Sequence, residues 1–284
     1  MILPALPTPM DASGRPDWGA YQAVMDRLAE HVDGFLIYGS NGEAPLLFPK
    51  ERREGLSRLK PPKPFLVGVG DESLPQALFH QEAARDAGAF AGLAYLPRFF
   101  FAALDEAAAL RYFEALARVH PVFVYHVPSL TRTDLPLPWV RRLSELSGVE
   151  GIKDSSGEIA RFAYYQAERL PLRVFTGSAV VFLASLLHGA EGGILAAANL
   201  VPALIQRIYA AYREGRLEEA VALQNRLDPL ARTLGAGGVV LLKQAMRHLG
   251  FPVGSPRAPL PEESPFWPRF LPLLEALREE GLTA

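Results

Sequence analysis

The chain has 284 residues, 49% of them apolar and 21% charged, a balance that describes a globular protein and excludes a disordered or fibrous one. It contains no cysteine, which removes disulfides, thiolate nucleophiles, iron–sulfur clusters and thiolate zinc sites. The 29 Lys and Arg against 31 Asp and Glu leave a formal net charge of -2, which argues against nucleic acid as the main partner.

The start, Met1–Pro7, carries neither the basic residues nor the long apolar run of a signal peptide, and no apolar stretch reaches the ~20 residues of a membrane span. A cytoplasmic protein with no membrane partner is expected. Ile2–Leu6 reads as a first strand, and Gly34–Tyr38 as a second that runs into the turn Gly39-Ser40-Asn41-Gly42 and a helix from Pro49. Pro64–Val69, Ala91–Leu96, Val122–Tyr125, Val149–Lys153, Arg173–Thr176 and Gly192–Ala196 follow as six more strands, separated by amphipathic stretches such as Ser73–Ala87. Their near-continuous apolar character indicates strands covered on both faces, as in parallel sheets. Eight βα units joined by short connections predict a (β/α)8 TIM barrel in the α/β class, and the missing GxGxxG after the first strand weakens a doubly wound alternative.

Beyond Leu200 the pattern is helical only. Leu217–Leu234, Val239–Leu249 and Phe266–Leu282 show apolar residues at helical spacing, with the proline-rich stretch Phe251–Pro265 between the last two. The expected organisation is a barrel over residues 1–213 and a C-terminal helical extension, 214–284, packed on it.

Chemistry in such a barrel sits where strands end. Five predicted strand ends carry polar clusters, at Gly39–Glu43, Tyr125–Ser129, Lys153–Gly157, Gly177-Ser178 and around Ile194. Lys153 stands out, because only five lysines occur in the chain and this one follows the buried pair Gly151-Ile152. Burial disfavours the ammonium form and frees the amine to attack a ketone or aldehyde. The competing reading is a rim lysine paired with Asp154 or Glu158. Tyr125 ends the neighbouring strand and could carry protons beside such an amine, or could be a half-buried aromatic satisfied by backbone. Gly39–Gly42 offers amides, a hydroxyl and a side-chain amide suited to a carboxylate or phosphate, or is simply a strand-to-helix turn. Asp154 and Glu43 lack a histidine to complete a metal set, so no metal and no cofactor is expected. His126, next to Tyr125, should face the other way and be structural.

Taken together, Gly39-Ser40-Asn41-Gly42-Glu43, Tyr125-His126-Val127-Pro128-Ser129, Gly151-Ile152-Lys153-Asp154-Ser155 and Gly192-Gly193-Ile194 resemble, in order and spacing, the class I pyruvate aldolases that include dihydrodipicolinate synthase and N-acetylneuraminate lyase. The resemblance implies that Lys153 forms a Schiff base with a small-molecule 2-oxo acid and that Tyr125 shuttles protons. It further implies that Ser40 and Asn41 hold the substrate carboxylate, that the backbone carbonyl of Ile194 faces the site, and that Ser155 and Gly177 line the pocket. A homotetramer also follows from it.

Two departures separate the chain from the synthase pattern. Leu130 stands where the synthase has an arginine for a second carboxylate, with Arg132 two residues on; Phe99 stands where the synthase has a relay tyrosine. Asn41 and the stretch Gly254–Leu260 resemble instead the branch that cleaves 4-hydroxy-2-oxoglutarate to pyruvate and glyoxylate. The remaining alternatives are the synthase itself, a 2-keto-3-deoxy sugar acid aldolase, an oxaloacetate decarboxylase, a phosphate-binding isomerase, and a non-catalytic 2-oxo acid sensor.

Overall fold

The computed structural model describes residues 1–284. Eight strands form in the predicted places: β1 (Ile2–Pro4), β2 (Phe35–Ile37), β3 (Phe65–Gly68), β4 (Ala91–Ala94), β5 (Val122–His126), β6 (Val149–Asp154), β7 (Arg173–Thr176) and β8 (Gly192–Leu195). All neighbouring pairs are parallel, in the order β1-β8-β7-β6-β5-β4-β3-β2. The seam between β1 and β2 closes through a bridge at Ala5 and Leu36, where the Leu6 amide donates to the Leu36 carbonyl at 3.0 Å. The expected TIM barrel is therefore present, with a helical C-terminal extension.

Helices cover the outside: α1 (Trp18–Leu28), α2 (Pro49–Arg58), α3 (Leu74–Asp86), α4 (Glu106–Val119), the short turn α5 (Pro128–Thr131), α6 (Leu137–Ser144), α7 (Ile159–Ala167), α8 (Phe182–Leu187) and α9 (Pro202–Arg213). Their sequences explain both position and orientation. In α1, Tyr21, Val24, Met25 and Leu28 recur at helical spacing and are all buried, while the Asp17 carboxylate accepts from the Ala20 amide at 2.9 Å and caps the free end. Ser73 and Asp105 cap α3 and α4 in the same way.

Inside the barrel, alternate residues of the strands pack on one another, among them Leu3, Leu36, Leu66, Leu93, Phe123 and Phe175. Tyr125, Val127 and Ile194 continue this packing toward the C-terminal ends of the strands. A register shift between β5 and β6 decides what lies beside Tyr125. Val122 pairs with Val149 but Phe123 pairs with Gly151, so Glu150 is the extra residue of a bulge. From there on Tyr125 pairs with Lys153, and His126 with Asp154. Without the bulge, Tyr125 would stand next to Ile152.

The extension contains α10 (Leu217–His248) and α11 (Trp267–Glu279). The two helices expected over Leu217–Leu234 and Val239–Leu249 are both present within α10 and meet at a kink, where Gly238 has the non-helical φ 57° and ψ -149°. That backbone conformation strains any side chain, so the glycine permits the bend. The last residue, Ala284, donates its amide to the Leu200 carbonyl at 2.9 Å and ties the chain end back to the barrel.

Candidate functional site

At the C-terminal face, a cavity of about 270 Å³ opens at the ends of β2, β5, β6, β7 and β8. Every site residue expected from the sequence lines it: Lys153, Tyr125, Ser40, Asn41, Ser155, Gly177 and Ile194. Such convergence of polar groups at this end of a barrel is what the architecture requires of a chemical centre.

Lys153 is only 3% exposed. Its Nζ lies 4.6 Å from the centre of the Tyr125 ring, and it forms no ion pair with a carboxylate. Burial lowers the pKa of its amine below the ordinary 10.5, and proximity to Tyr125 opposes this only in part. The rim-pairing alternative fails because Asp154 is engaged elsewhere. Its Oδ2 accepts from Arg161 Nε at 2.9 Å and from the Tyr165 hydroxyl at 2.7 Å, and its Oδ1 accepts from the Ser156 amide and hydroxyl. No group of His, Asp and Glu is arranged to hold a metal ion.

The Tyr125 hydroxyl and Ser40 Oγ are 3.1 Å apart, which couples the tyrosine to the turn after β2. The chain enters that turn through Tyr38 and leaves it through Glu43, both left-handed with φ 57° and 54°. For bulky residues such conformations cost about 1–3 kcal/mol each and persist only where surroundings hold them. The Ser40, Asn41 and Gly42 amides donate to no protein acceptor, leaving three N–H groups around the turn for an anion.

The turn is braced from the far end of the molecule. Glu43 is buried, its Oε1 2.5 Å from Lys243 Nζ on α10, and its Oε2 accepts from the Arg257 amide at 2.6 Å. Lys243 also donates to the Ser255 carbonyl at 3.0 Å, and the Arg257 guanidinium grips Glu51 with both terminal nitrogens. Glu43, which the sequence offers as a metal-ligand type, is thus the internal partner of a buried lysine.

Gly177 is needed for space. A Cβ there would lie 1.7 Å from Ser155 Oγ and 2.9 Å from Lys153 Cε. His126 faces away from the barrel interior as expected, buried with Nε2 3.4 Å from Asp134 Oδ1, and burial lowers its pKa. Leu130 lines the cavity, whereas Arg132 is outside its wall. Phe99 is 81% exposed.

One wall escaped the sequence reading. Ala231, Arg232, Leu234, Gly235 and Gly238 of α10 line the same cavity, as do Ser129 and Ser178. The glycines at 235, 237 and 238 interrupt a helical pattern and were the available signal, because glycine inside a helix needs a packing or functional reason.

A cavity at the mouth of a (β/α)8 barrel, with a buried free amine beside a phenol and a turn of unpaired amides, is the arrangement that imine-forming lyases require. Comparison with known proteins gives the family: the dihydrodipicolinate synthetase family model matches residues 1–265, and the chain belongs to that family. It is accordingly an enzyme of the pyruvate-dependent class I aldolase and lyase type. A DapA-like lyase of Halobacterium salinarum is 31% identical over 274 residues, covering 91% of this chain and 87% of its own. A 4-hydroxy-tetrahydrodipicolinate synthase of Archaeoglobus fulgidus is 28% identical, covering 93% and 92%. Among solved structures, a Thermus thermophilus protein assigned provisionally as a dihydrodipicolinate synthase superposes with TM-score 0.97 at 53% identity over 100% of both chains. The Escherichia coli prophage protein YagE, solved in complex with pyruvate, superposes with TM-score 0.87 at 26% identity, covering 99% of this chain and 98% of its own.

Proposed function

We propose that this enzyme cleaves a 4-hydroxy-2-oxo acid, 4-hydroxy-2-oxoglutarate in particular, to pyruvate and glyoxylate through an imine on Lys153. The observation that carries the reading is the placement of a buried Lys153 amine, without a carboxylate partner, against Tyr125, in the same cavity as the turn whose Ser40–Gly42 amides are free. The substrate C1 carboxylate docks on those amides with Ser40 and Asn41. Lys153 Nζ adds to the C2 carbonyl, and loss of water gives the iminium. Tyr125 then takes the proton of the C4 hydroxyl. The C3–C4 bond breaks, its electron pair moving into the iminium to form the enamine, and the C4 fragment leaves as the aldehyde. Protonation at C3 and hydrolysis release pyruvate and regenerate the amine. Ser155, Gly177 and the Ile194 carbonyl shape the pocket around the reacting carbons.

The outward Phe99 favours this substrate over a synthase reaction, because it cannot carry a proton, whereas Leu130 in the cavity wall does not separate the two, since each brings a second carboxylate. The similarity to the 4-hydroxy-tetrahydrodipicolinate synthase of Archaeoglobus fulgidus favours the synthase reading instead, condensation of pyruvate with aspartate semialdehyde. No helix is long and apolar enough to cross a membrane, and we place the enzyme in the cytoplasm as a homotetramer on family resemblance.

The deciding experiment measures pyruvate release from a panel of 2-oxo acids alongside condensation of pyruvate with aspartate semialdehyde, with borohydride trapping and peptide mass spectrometry. The expected result is fastest release from 4-hydroxy-2-oxoglutarate and a reduced pyruvate adduct at Lys153 that Lys153→Ala abolishes. Turnover by Lys153→Ala would remove the mechanism, and predominant condensation activity would replace the aldolase with the synthase.

A further inference from the structure

The imine reading leaves one group of a dicarboxylic substrate without a partner. The amides at Ser40–Gly42 take one carboxylate, and Lys153 is consumed in the covalent bond. Leu130 occupies the wall where a cation would answer a second carboxylate, and Arg132 lies outside that wall. Besides Lys153, the only charged side chain lining the cavity is Arg232, and no acidic side chain lines it. We propose that Arg232, on α10 at the cavity mouth, binds the distal carboxylate of a dicarboxylic 2-oxo acid and selects that substrate class. The inference rests on the imine reading and assigns the specificity of the same site.

Arg232 is held without being used up. Its Nη2 lies 3.1 Å from Asp228 Oδ2, one helical turn earlier, and the side chain remains 65% exposed. Asp228 Oδ1 accepts from Gln224 Nε2 at 3.0 Å, and Gln224 in turn accepts from the Leu183 amide and donates to the Ala179 carbonyl. The guanidinium is therefore anchored to α8 through one nitrogen, leaving other N–H donors for a planar carboxylate. Arg232 lies on α10 before the kink at Gly238, and both residues line the cavity.

The other nearby arginines are poorer candidates. Arg52 and Arg98 border a smaller void of about 90 Å³ on the side of Tyr125 and Leu130, but Asp71 borders it too and repels an anion.

The test uses the full chain and compares borohydride trapping by 2-oxoglutarate and by 2-oxopentanoate, which share a carbon skeleton but differ in the distal charge. In the native protein the diacid should be trapped at lower concentration. Arg232→Ala should reduce the ratio of trapping efficiencies, diacid over monoacid, by about 10- to 100-fold. Arg232→Lys should restore part of it, and Arg98→Ala should leave the ratio unchanged. Higher salt should shrink the preference, since the pair is partly exposed. An unchanged ratio in Arg232→Ala, or equal loss for both acids, overturns the assignment while the imine chemistry stands. Absence of any adduct at Lys153 in the native protein overturns the imine reading itself, before a variant is compared.

Discussion

Lys153 and Tyr125 illustrate how much one residue's surroundings change its chemistry. An exposed lysine amine is protonated at neutral pH, but this one is buried and lacks a carboxylate partner. The ammonium form is disfavoured, so the rate of imine trapping should rise with pH along a curve whose midpoint falls below 10.5. The same shift has a consequence for stability. Between the lowered value and 10.5 the unfolded chain binds a proton that the folded protein does not, so Lys153 makes the fold less stable as pH falls through that window. Lys153→Met should raise the denaturation midpoint at neutral pH, and an unchanged midpoint would mean that the amine carries no burial penalty. Tyr125→Phe keeps the ring under the amine but removes the hydroxyl that meets Ser40. It should slow turnover by about 10²–10⁴ while an adduct at Lys153 still forms; an unaltered rate would exclude Tyr125 as the proton carrier.

Elements, rather than single residues, set the geometry of the turn proposed to take the substrate carboxylate. The turn after β2 is held in two left-handed conformations, and the side chain that leaves it, Glu43, is paired with Lys243 on α10. Both side chains are fully buried, so removing one strands the other in a low-dielectric interior. Lys243→Met should therefore cost about 3–5 kcal/mol in urea unfolding. The double variant Glu43→Gln with Lys243→Met should recover much of that loss, because no lone charge remains. If the single variant is as stable as the native protein, the pair does not hold the turn. The strand positions and most helices were legible beforehand, since apolar runs, caps and helical spacing are local signals. Leu217–Leu234 and Val239–Leu249 read as separate helices because glycine at 235, 237 and 238 breaks the local pattern, and the backbone does leave helical geometry at Gly238.

For the whole molecule, the boundary near residue 213 separates two parts that we expect to fold as one. The extension supplies a cavity wall, the partner of Glu43, and the hydrogen bond from Ala284 to Leu200. The Arg27 guanidinium adds bonds of 3.0 Å to the Leu249 and Ala284 carbonyls. A single cooperative transition is expected in thermal or urea unfolding, and a chain ended at residue 213 should neither remain soluble nor form an adduct with pyruvate. Two separated transitions, or a soluble truncated chain that traps pyruvate, would show an independent barrel. From the amino-acid order alone came the eight strands, the barrel and the identity of the residues around Lys153, because strand periodicity and polar residues at strand ends are written locally. Only the tertiary structure decided that the bulge at Glu150 sets Lys153 beside Tyr125, that Asp154 turns to Arg161, and that Arg232 and Lys243 reach the site from α10. Register, burial and contacts between residues far apart in sequence depend on how the strands and helices close on one another, and no short window of sequence contains that information.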